Sequence, residues 1–255
     1  MSSFAHVDAH SAPPIDERLF WFSDEGLTPD EGASGAEPLV VDSWLVEDGL
    51  VRGLDLHEQR FRQACLRLLP SIPERALNDF LTAVRAQLPR EGRWFPRVEA
   101  HAGACSRLAL RLRPAPACAG PIALWVPPRP DPRVAPRVKG PDLAALSALR
   151  ERARATGADD ALLYTAEGTV LEAAHSALLW WRDETLCVPA VDLAVLPSVT
   201  RTLIVALAER LGIEVSHERC SIDELVTLPS WTVNALHGIR PVSRWVGLDR
   251  AQTAR

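Results

Sequence analysis

The chain is predicted to be a mixed α/β protein, two α+β units on either side of a proline-rich joint. Three observations predict it. Short apolar runs bounded by turn residues alternate, from Pro38 to Leu236, with segments whose apolar residues recur at helical spacing. The run Pro127-Pro128-Arg129-Pro130-Asp131-Pro132, with Pro136 just after, excludes regular structure and stiffens the chain there. With 255 residues, 47% of them hydrophobic, there is ample chain to bury a core on each side.

Residues 1–37 are rich in Pro, Gly, Ser and acids and are expected to be a mobile start that docks by the island Leu19-Phe20-Trp21-Phe22. Residues 38–126 form the expected small α+β unit. Pro38 to Val46 suits a strand, Asp48-Gly49 a hairpin turn, and Leu50 to Leu54 the return strand. Asp55 is placed to cap a helix over Leu56 to Leu69, with Phe61, Cys65 and Leu68 on one face. A second helix is expected from Pro73 to Gln87, then strands at 95–101, 107–113 and 121–126.

Residues 127–137 are the expected linker and 138–255 the larger, mixed-sheet unit. There a helix from Asp142 to Ala155 carries leucines at 143, 146 and 149, and Gly157 stops it. Strands are expected at 161–165, 169–172, 176–182, 185–189, 213–218 and 230–236. A long helix opens at Leu196-Pro197-Ser198-Val199-Thr200-Arg201 and ends near Gly212, and a short one covers 221–225.

Composition removes several classes of function. The net charge is −5 and no basic tract is present, so no nucleic-acid or membrane-surface partner is expected. No apolar run approaches a membrane span of roughly 20 residues. Met1 to Pro14 lacks the basic and apolar regions of a signal peptide, and a cytoplasmic location is expected by default. The five cysteines (65, 105, 118, 187 and 220) form no Cys-x-x-Cys motif and are expected to be free buried thiols. The histidines lack zinc-ligand spacing, so no metal is expected.

Lys139 is the only lysine. Where arginine serves every other basic position, a remaining lysine is a candidate for work arginine cannot do. A guanidinium keeps its proton above roughly pH 12. An amine can lose it, and so can form a Schiff base or shuttle protons.

From Lys139 onward the words of the sequence resemble those of class IV aminotransferases, the fold-type IV pyridoxal-phosphate enzymes. The family includes branched-chain and D-amino-acid aminotransferases and 4-amino-4-deoxychorismate lyase. The words are Val138-Lys139, Gly157 through Leu163, Gly168-Thr169-Val170-Leu171-Glu172, Leu196 through Arg201, and Asn234 through Val242. The resemblance covers about residues 38–247, and its specificity lies in the order and spacing of the words. It implies the two-domain fold of that family, pyridoxal 5'-phosphate as cofactor, a small-molecule amino substrate and a homodimer.

The resemblance also implies residue roles. Lys139 would form the Schiff base with the cofactor and move the substrate Cα proton. Glu172 would hold the pyridine nitrogen protonated, which makes the ring an electron sink. Leu196, Ser198, Val199 and Thr200 would bring a helix N-terminus to the cofactor phosphate, joined by Asn234 and Ala235. A helix start suits a phosphate because its first N–H groups are unpaired. Arg60, in Leu56-His57-Glu58-Gln59-Arg60-Phe61, would add its donor fork. Arg97 is the expected trap for a substrate carboxylate.

There are departures. Ser198 stands where the family usually has glycine, and Ala235 where it has Ser or Thr. Ala173-Ala174-His175-Ser176-Ala177 replaces a common Gly-Ser-x-Ser-Asn, and Val41-Asp42-Ser43 replaces Phe-Glu-Thr. His175 is expected to fill space. Three activities stay open: a lyase releasing pyruvate and 4-aminobenzoate, which Asn234-Ala235-Leu236 favours; a transaminase; and an inactive binding protein. Trp180 and Trp181, adjacent in a strand, face opposite sides of a sheet. The expected cover is a helix layer on one side and a partner subunit or the small unit on the other.

Overall fold

The computed structural model describes residues 17–30, 37–103 and 106–248. The chain begins with strands β1 (Arg18–Ser23) and β2 (Gly26–Asp30), continues through β3 (Val40–Ser43), β4 (Val46–Glu47) and β5 (Leu50–Val51), and enters helices α1 (Leu54–Leu68) and α2 (Glu74–Gln87). Strands β6 (Arg93–Trp94), β7 (Arg97–His101), β8 (Arg107–Leu112) and β9 (Ile122–Trp125) follow. After the proline-rich stretch come α3 (Leu143–Ala155), β10 (Asp160–Tyr164), β11 (Val170–Ala173), β12 (Ala177–Arg182), β13 (Thr185–Pro189), α4 (Val199–Arg210), β14 (Val215–Glu218), α5 (Ile222–Leu225), β15 (Ser230–Asn234) and β16 (Gly238–Val246).

The first sheet runs β2-β1-β8-β7-β3, with every neighbouring pair antiparallel. Its inner face packs on α1 and α2 through Phe20, Trp44, Phe61, Phe80 and Val98, all buried. Each such aromatic removed from water stabilises the fold by about 1.5–3 kcal/mol. The second sheet runs β11-β10-β9-β16-β15-β12-β13-β14 and is mixed. Strands β9–β10, β9–β16 and β13–β14 are parallel, and the other neighbours are antiparallel. This is the two-part α+β arrangement expected.

Several expectations are corrected. The segment around Leu19-Phe20-Trp21-Phe22 is more than a docking island, because β1 and β2 form a hairpin and β1 pairs with β8. Residues 1–16 and 31–36 of the expected mobile start lie outside the described residues. Asp55 does not cap α1; Gly53 does, in a left-handed conformation, and Asp55 lies in the first turn. The strand expected at 121–126 in the first unit pairs instead with β10 and β16 in the second sheet. Strand β16 was not expected at all. Pro241 argues against a strand and only Arg240 is buried in it, yet it is held between β15 and β9.

The tryptophan pair also needs no partner subunit. Trp180 is fully buried on the face shared with Cys220 and Leu225 and donates to Glu218 Oε1 at 2.7 Å. On the other face Trp181 packs with Ile204 and Val205 of α4 and meets Trp231 edge-on at 5.2 Å. Helices of the same unit cover both faces. Cys65, Cys187 and Cys220 are free and buried, whereas Cys118 is exposed, against expectation. Cys105 lies outside the described residues. Among the described residues no helix is long and apolar enough to cross a membrane.

Candidate active site

Lys139 sits where the proline-rich stretch meets the first sheet. The Val41 N–H of β3 donates to the Lys139 carbonyl at 2.8 Å, which extends the edge of that sheet by one bond. The contact is close enough to require glycine next door. Gly140 has φ 156°, and a Cβ there would lie 2.0 Å from the Leu39 carbonyl oxygen. Gly140→Ala is therefore expected to destabilise the protein by at least about 2 kcal/mol and to loosen the lysine. Urea unfolding followed by tryptophan fluorescence checks it, and an unchanged midpoint would show that the strands can part at no cost.

A cavity of about 600 Å³ opens over Lys139, between the two sheets. Burial first, then the Arg60 guanidinium, brings the lysine ammonium down from the usual range to about 8; Asp42 and Glu172 pull the other way. At neutral pH about a tenth of the amine is thus free, far more than an ordinary lysine offers, as a Schiff-base nucleophile or proton shuttle needs.

Glu172, on the edge strand β11, lines the same cavity. Its Oε1 accepts from Arg133 Nη1 at 2.6 Å and from the Leu196 N–H at 2.8 Å. Among the described residues its Oε2 accepts no hydrogen bond, which leaves it for a ligand donor. Burial pushes the Glu172 carboxyl up, opposed first by Arg133 and then by the Leu196 N–H.

Sequence reasoning missed Arg133 because it took the proline-rich stretch as a spacer. The stretch instead folds back on the second unit. Arg133 is clamped by Asp131 at 2.8–3.0 Å and caps Ala194 O at 3.2 Å. Asp142 holds the turn by accepting from the Val134 and Ala135 N–H groups at 3.0 and 2.9 Å. The available signal was the alternation of charge and proline in Arg129-Pro130-Asp131-Pro132-Arg133, which a solvated spacer does not need.

Opposite stands the start of α4. Ser198 is its N-cap, and its hydroxyl accepts from the Arg201 N–H at 3.3 Å. That leaves the Val199 and Thr200 N–H groups, the first in the helix, without an intrahelical acceptor. Serine serves here where glycine was the family norm, because φ is −78° and no left-handed turn is required. Arg60 reaches across from α1. Its Nε and Nη2 grip Asp42 at 2.7 and 2.8 Å, and its Nη1 donates to the Pro197 carbonyl at 2.9 Å. Asp42 also accepts from His57 at 2.8 Å. Burial would raise the Asp42 carboxyl, but Arg60 and His57 prevail and hold it at about 2. Asp42, noted above only as a departure, is the anchor that aims Arg60 at the α4 turn.

Asn234 and Ala235 line the cavity as expected. The Asn234 side chain is used locally: Nδ2 donates to Ser176 Oγ at 2.9 Å, and Oδ1 accepts from the Leu236 and His237 N–H groups. It shapes the loop and leaves backbone as the loop's contribution to a ligand. His175 does more than fill space. It lies on the cavity wall, with Asp160 taking its backbone N–H at 3.1 Å and its ring at 3.5 Å.

Arg97 also lines the cavity, but it is engaged. Its Nε donates to Glu99 Oε1 at 2.7 Å, and Arg111 and His101 hold the same carboxylate. Arg113 is the freer cation. Its Nε donates to the Phe95 carbonyl at 2.9 Å, its guanidinium lies 5.0 Å from the Phe95 ring centroid, and among the described residues no acid forms an ion pair with it. Burial, then Arg97, pushes its pKa down.

These features fit pyridoxal phosphate by their donor chemistry. An amine brought to about 8 suits the aldehyde, a carboxylate oxygen without a partner suits the pyridine N–H, and a helix start beside an arginine suits the phosphate. Among the described residues no group of three or more His, Cys, Asp or Glu is placed to hold a metal.

Comparison with known proteins points the same way. The sequence model of amino-transferase class IV matches residues 39–245. A probable branched-chain-amino-acid aminotransferase of Rickettsia felis is 36% identical over 76 residues, a stretch covering 30% of this chain and 26% of that protein. An aminotransferase from Brucella abortus bound to the cofactor PLP superposes with a TM-score of 0.76 at 16% identity, over 92% of this chain and 95% of that one. A putative 4-amino-4-deoxychorismate lyase from Legionella pneumophila gives 0.72 at 17% identity, over 87% and 91%.

Proposed function

The chain belongs to the amino-transferase class IV family, which uses pyridoxal phosphate, and on that footing we propose that it is a 4-amino-4-deoxychorismate lyase-like enzyme, releasing pyruvate and 4-aminobenzoate. The observation that carries this reading is the cationic wall of the cavity. Arg97, Arg113, Arg150 and Arg154 all line it. The acids beside them are already engaged with backbone N–H groups: Asp142 with Val134 and Ala135, Asp159 with Ala123, and Asp160 with Ala161 and His175. Such a wall suits a substrate with two carboxylates better than an aliphatic side chain, whose burial against arginines would leave charge unpaired.

When bound, the cofactor supplies an electron sink for the carbon beside the substrate nitrogen. The residues supply the rest. Lys139, through its partly neutral amine, would take the proton from that carbon and return it to the enolpyruvyl group, which leaves the neighbouring ring carbon as pyruvate. Glu172 Oε2 would hold the proton of the pyridine nitrogen, while Arg133 and the Leu196 N–H keep the carboxylate oriented. Arg60 and the first N–H groups of α4 would hold the phosphate. Arg113 receives a substrate carboxylate, in place of the engaged Arg97.

A second reading, transamination, is favoured by the name of the curated relative; the aligned stretch is 26% of that protein's length. It uses the same Lys139 and Glu172 and differs in where the proton is returned. Assaying 4-aminobenzoate release beside a panel of amino donors and keto acids separates the two. Release of 4-aminobenzoate with no amino transfer supports the lyase; amino transfer alone replaces it.

Arg113→Ala is expected to lower kcat/KM by roughly 10–100-fold, the loss of about 1.5–3 kcal/mol of charge-assisted bonding. Arg97→Ala is expected to cost less, because Arg97 serves Glu99. Steady-state kinetics of the two variants test the assignment, and the reverse ranking would return the role to Arg97.

A further inference from the structure

A second cavity, of about 350 Å³, lies behind the wall that carries Lys139. Val41, Arg60, Lys139 and Val199 line both cavities, so the two meet back to back. One side is a stripe of α1 at helical spacing, Leu56, Arg60, Gln63 and Arg67, with Gln59 beside it. The other sides are Arg137, from the proline-rich stretch, and Thr202 in the first turns of α4.

The charge there is one-sided. Arg60, Arg67, Arg137 and Lys139 line the crevice, and no acid does among the described residues. Asp42 lies beneath Arg60 and is bound to it. Asp192 feels Arg137 but is paired with Arg219. Among the described residues the Arg137 side chain donates only to the carbonyls of Asp192 and Leu193. Arg67, Gln59 and Gln63 make no hydrogen bond or ion pair among the described residues. A concave, open site with two arginine forks not matched by carboxylates and amide donors between them is complementary to a compact dianion.

We propose that this crevice binds a phosphate group, free or at the head of a small phosphomonoester, at a site separate from the cofactor phosphate. Arg67 and Arg137 supply the forks, Gln59 and Gln63 the flanking donors. An anion there sits close to Lys139 and favours its charged form. Occupancy is thereby coupled to the protonation of the reacting lysine.

The test uses protein loaded with pyridoxal phosphate, whose visible absorption reports loading independently, so that the cofactor's own phosphate site is filled. Inorganic phosphate and glycerol phosphate are titrated by calorimetry at constant ionic strength in chloride. One saturable site per chain is expected for each, weakened at least about tenfold in Arg67→Ala and further in the Arg67→Ala, Arg137→Ala double variant. The exposed Arg75, on α2, is the control: Arg75→Ala should leave binding unchanged. Because the Arg67 side chain has no partner among the described residues, Arg67→Ala is expected to fold, and it tests the site even if the double variant does not. Phosphate should also raise the pH midpoint of the visible band in the unaltered protein, and not in the double variant. Equal affinity for the two ligands identifies the phosphate group alone as the determinant; tighter ester binding places its organic part in the remaining volume. No saturable binding to the loaded protein, binding seen only before loading, or equal weakening by Arg75→Ala would overturn the proposal.

Discussion

Lys139→Arg will leave a folded protein that cannot be covalently linked to its cofactor. The guanidinium keeps its proton at any working pH and does not condense with an aldehyde. The space is similar and the positive charge is kept, so the loss is chemical. The expected result is complete loss of label after borohydride reduction, with the label on the peptide containing Lys139 in the unaltered protein. Label on any other residue would sink the assignment. The pH dependence has a sign. The folded lysine is brought down to about 8 from the usual range near 10.5, chiefly by burial. Its free-amine fraction therefore rises as pH climbs through about 8, and the rate of cofactor capture by unloaded protein should rise with it and level off above.

Glu172→Gln is the second large effect. The glutamine carbonyl can still accept from Arg133 and the Leu196 N–H, which turns its NH₂ toward the cavity. That donor matches a neutral pyridine nitrogen, so the cofactor should still bind. The ring then carries no positive charge and is a poorer electron sink. Proton removal is expected to slow by roughly a hundredfold or more, the scale seen when one electrostatic stabiliser is removed. Arg133 keeps Asp131 as a partner, so the fold should survive. Single-turnover loss of a deuterium label from the substrate carbon measures the step, and an unaltered rate would mean that Glu172 is not the ring's partner.

Lys139, Glu172, Arg60 and the α4 turn were singled out as candidates before any coordinates, for two reasons. Lys139 is chemically unique in its composition. The others sit in words that resemble those of class IV aminotransferases; nearby residues give only their secondary structure, such as a Ser198 cap opening a helix or Glu172 near the end of an apolar strand. The elements flanking them were legible on the same grounds, since helical spacing from Leu143 to Leu149 and the Asp183-Glu184 hairpin turn are local patterns. Asp183 does take the positive φ that such a turn needs.

The tertiary structure decided what depends on residues far apart in the chain. β16 exists because β15 and β9 pair with it on both sides, and that pairing overrides a local pattern spoiled by Pro241 and two arginines. Arg133 becomes the partner of Glu172, 39 residues on, only because the proline-rich stretch folds back. The proposed preference for Arg113 over Arg97 rests on Glu99, whose carboxylate takes Arg97, Arg111 and His101 together and leaves Arg113 without an acid partner among the described residues. A sequence sets which side chains can ionise and which segments can form helices or strands. Burial and pairing set the free energy of each ionised state, and they come from contacts between distant residues that no local pattern encodes.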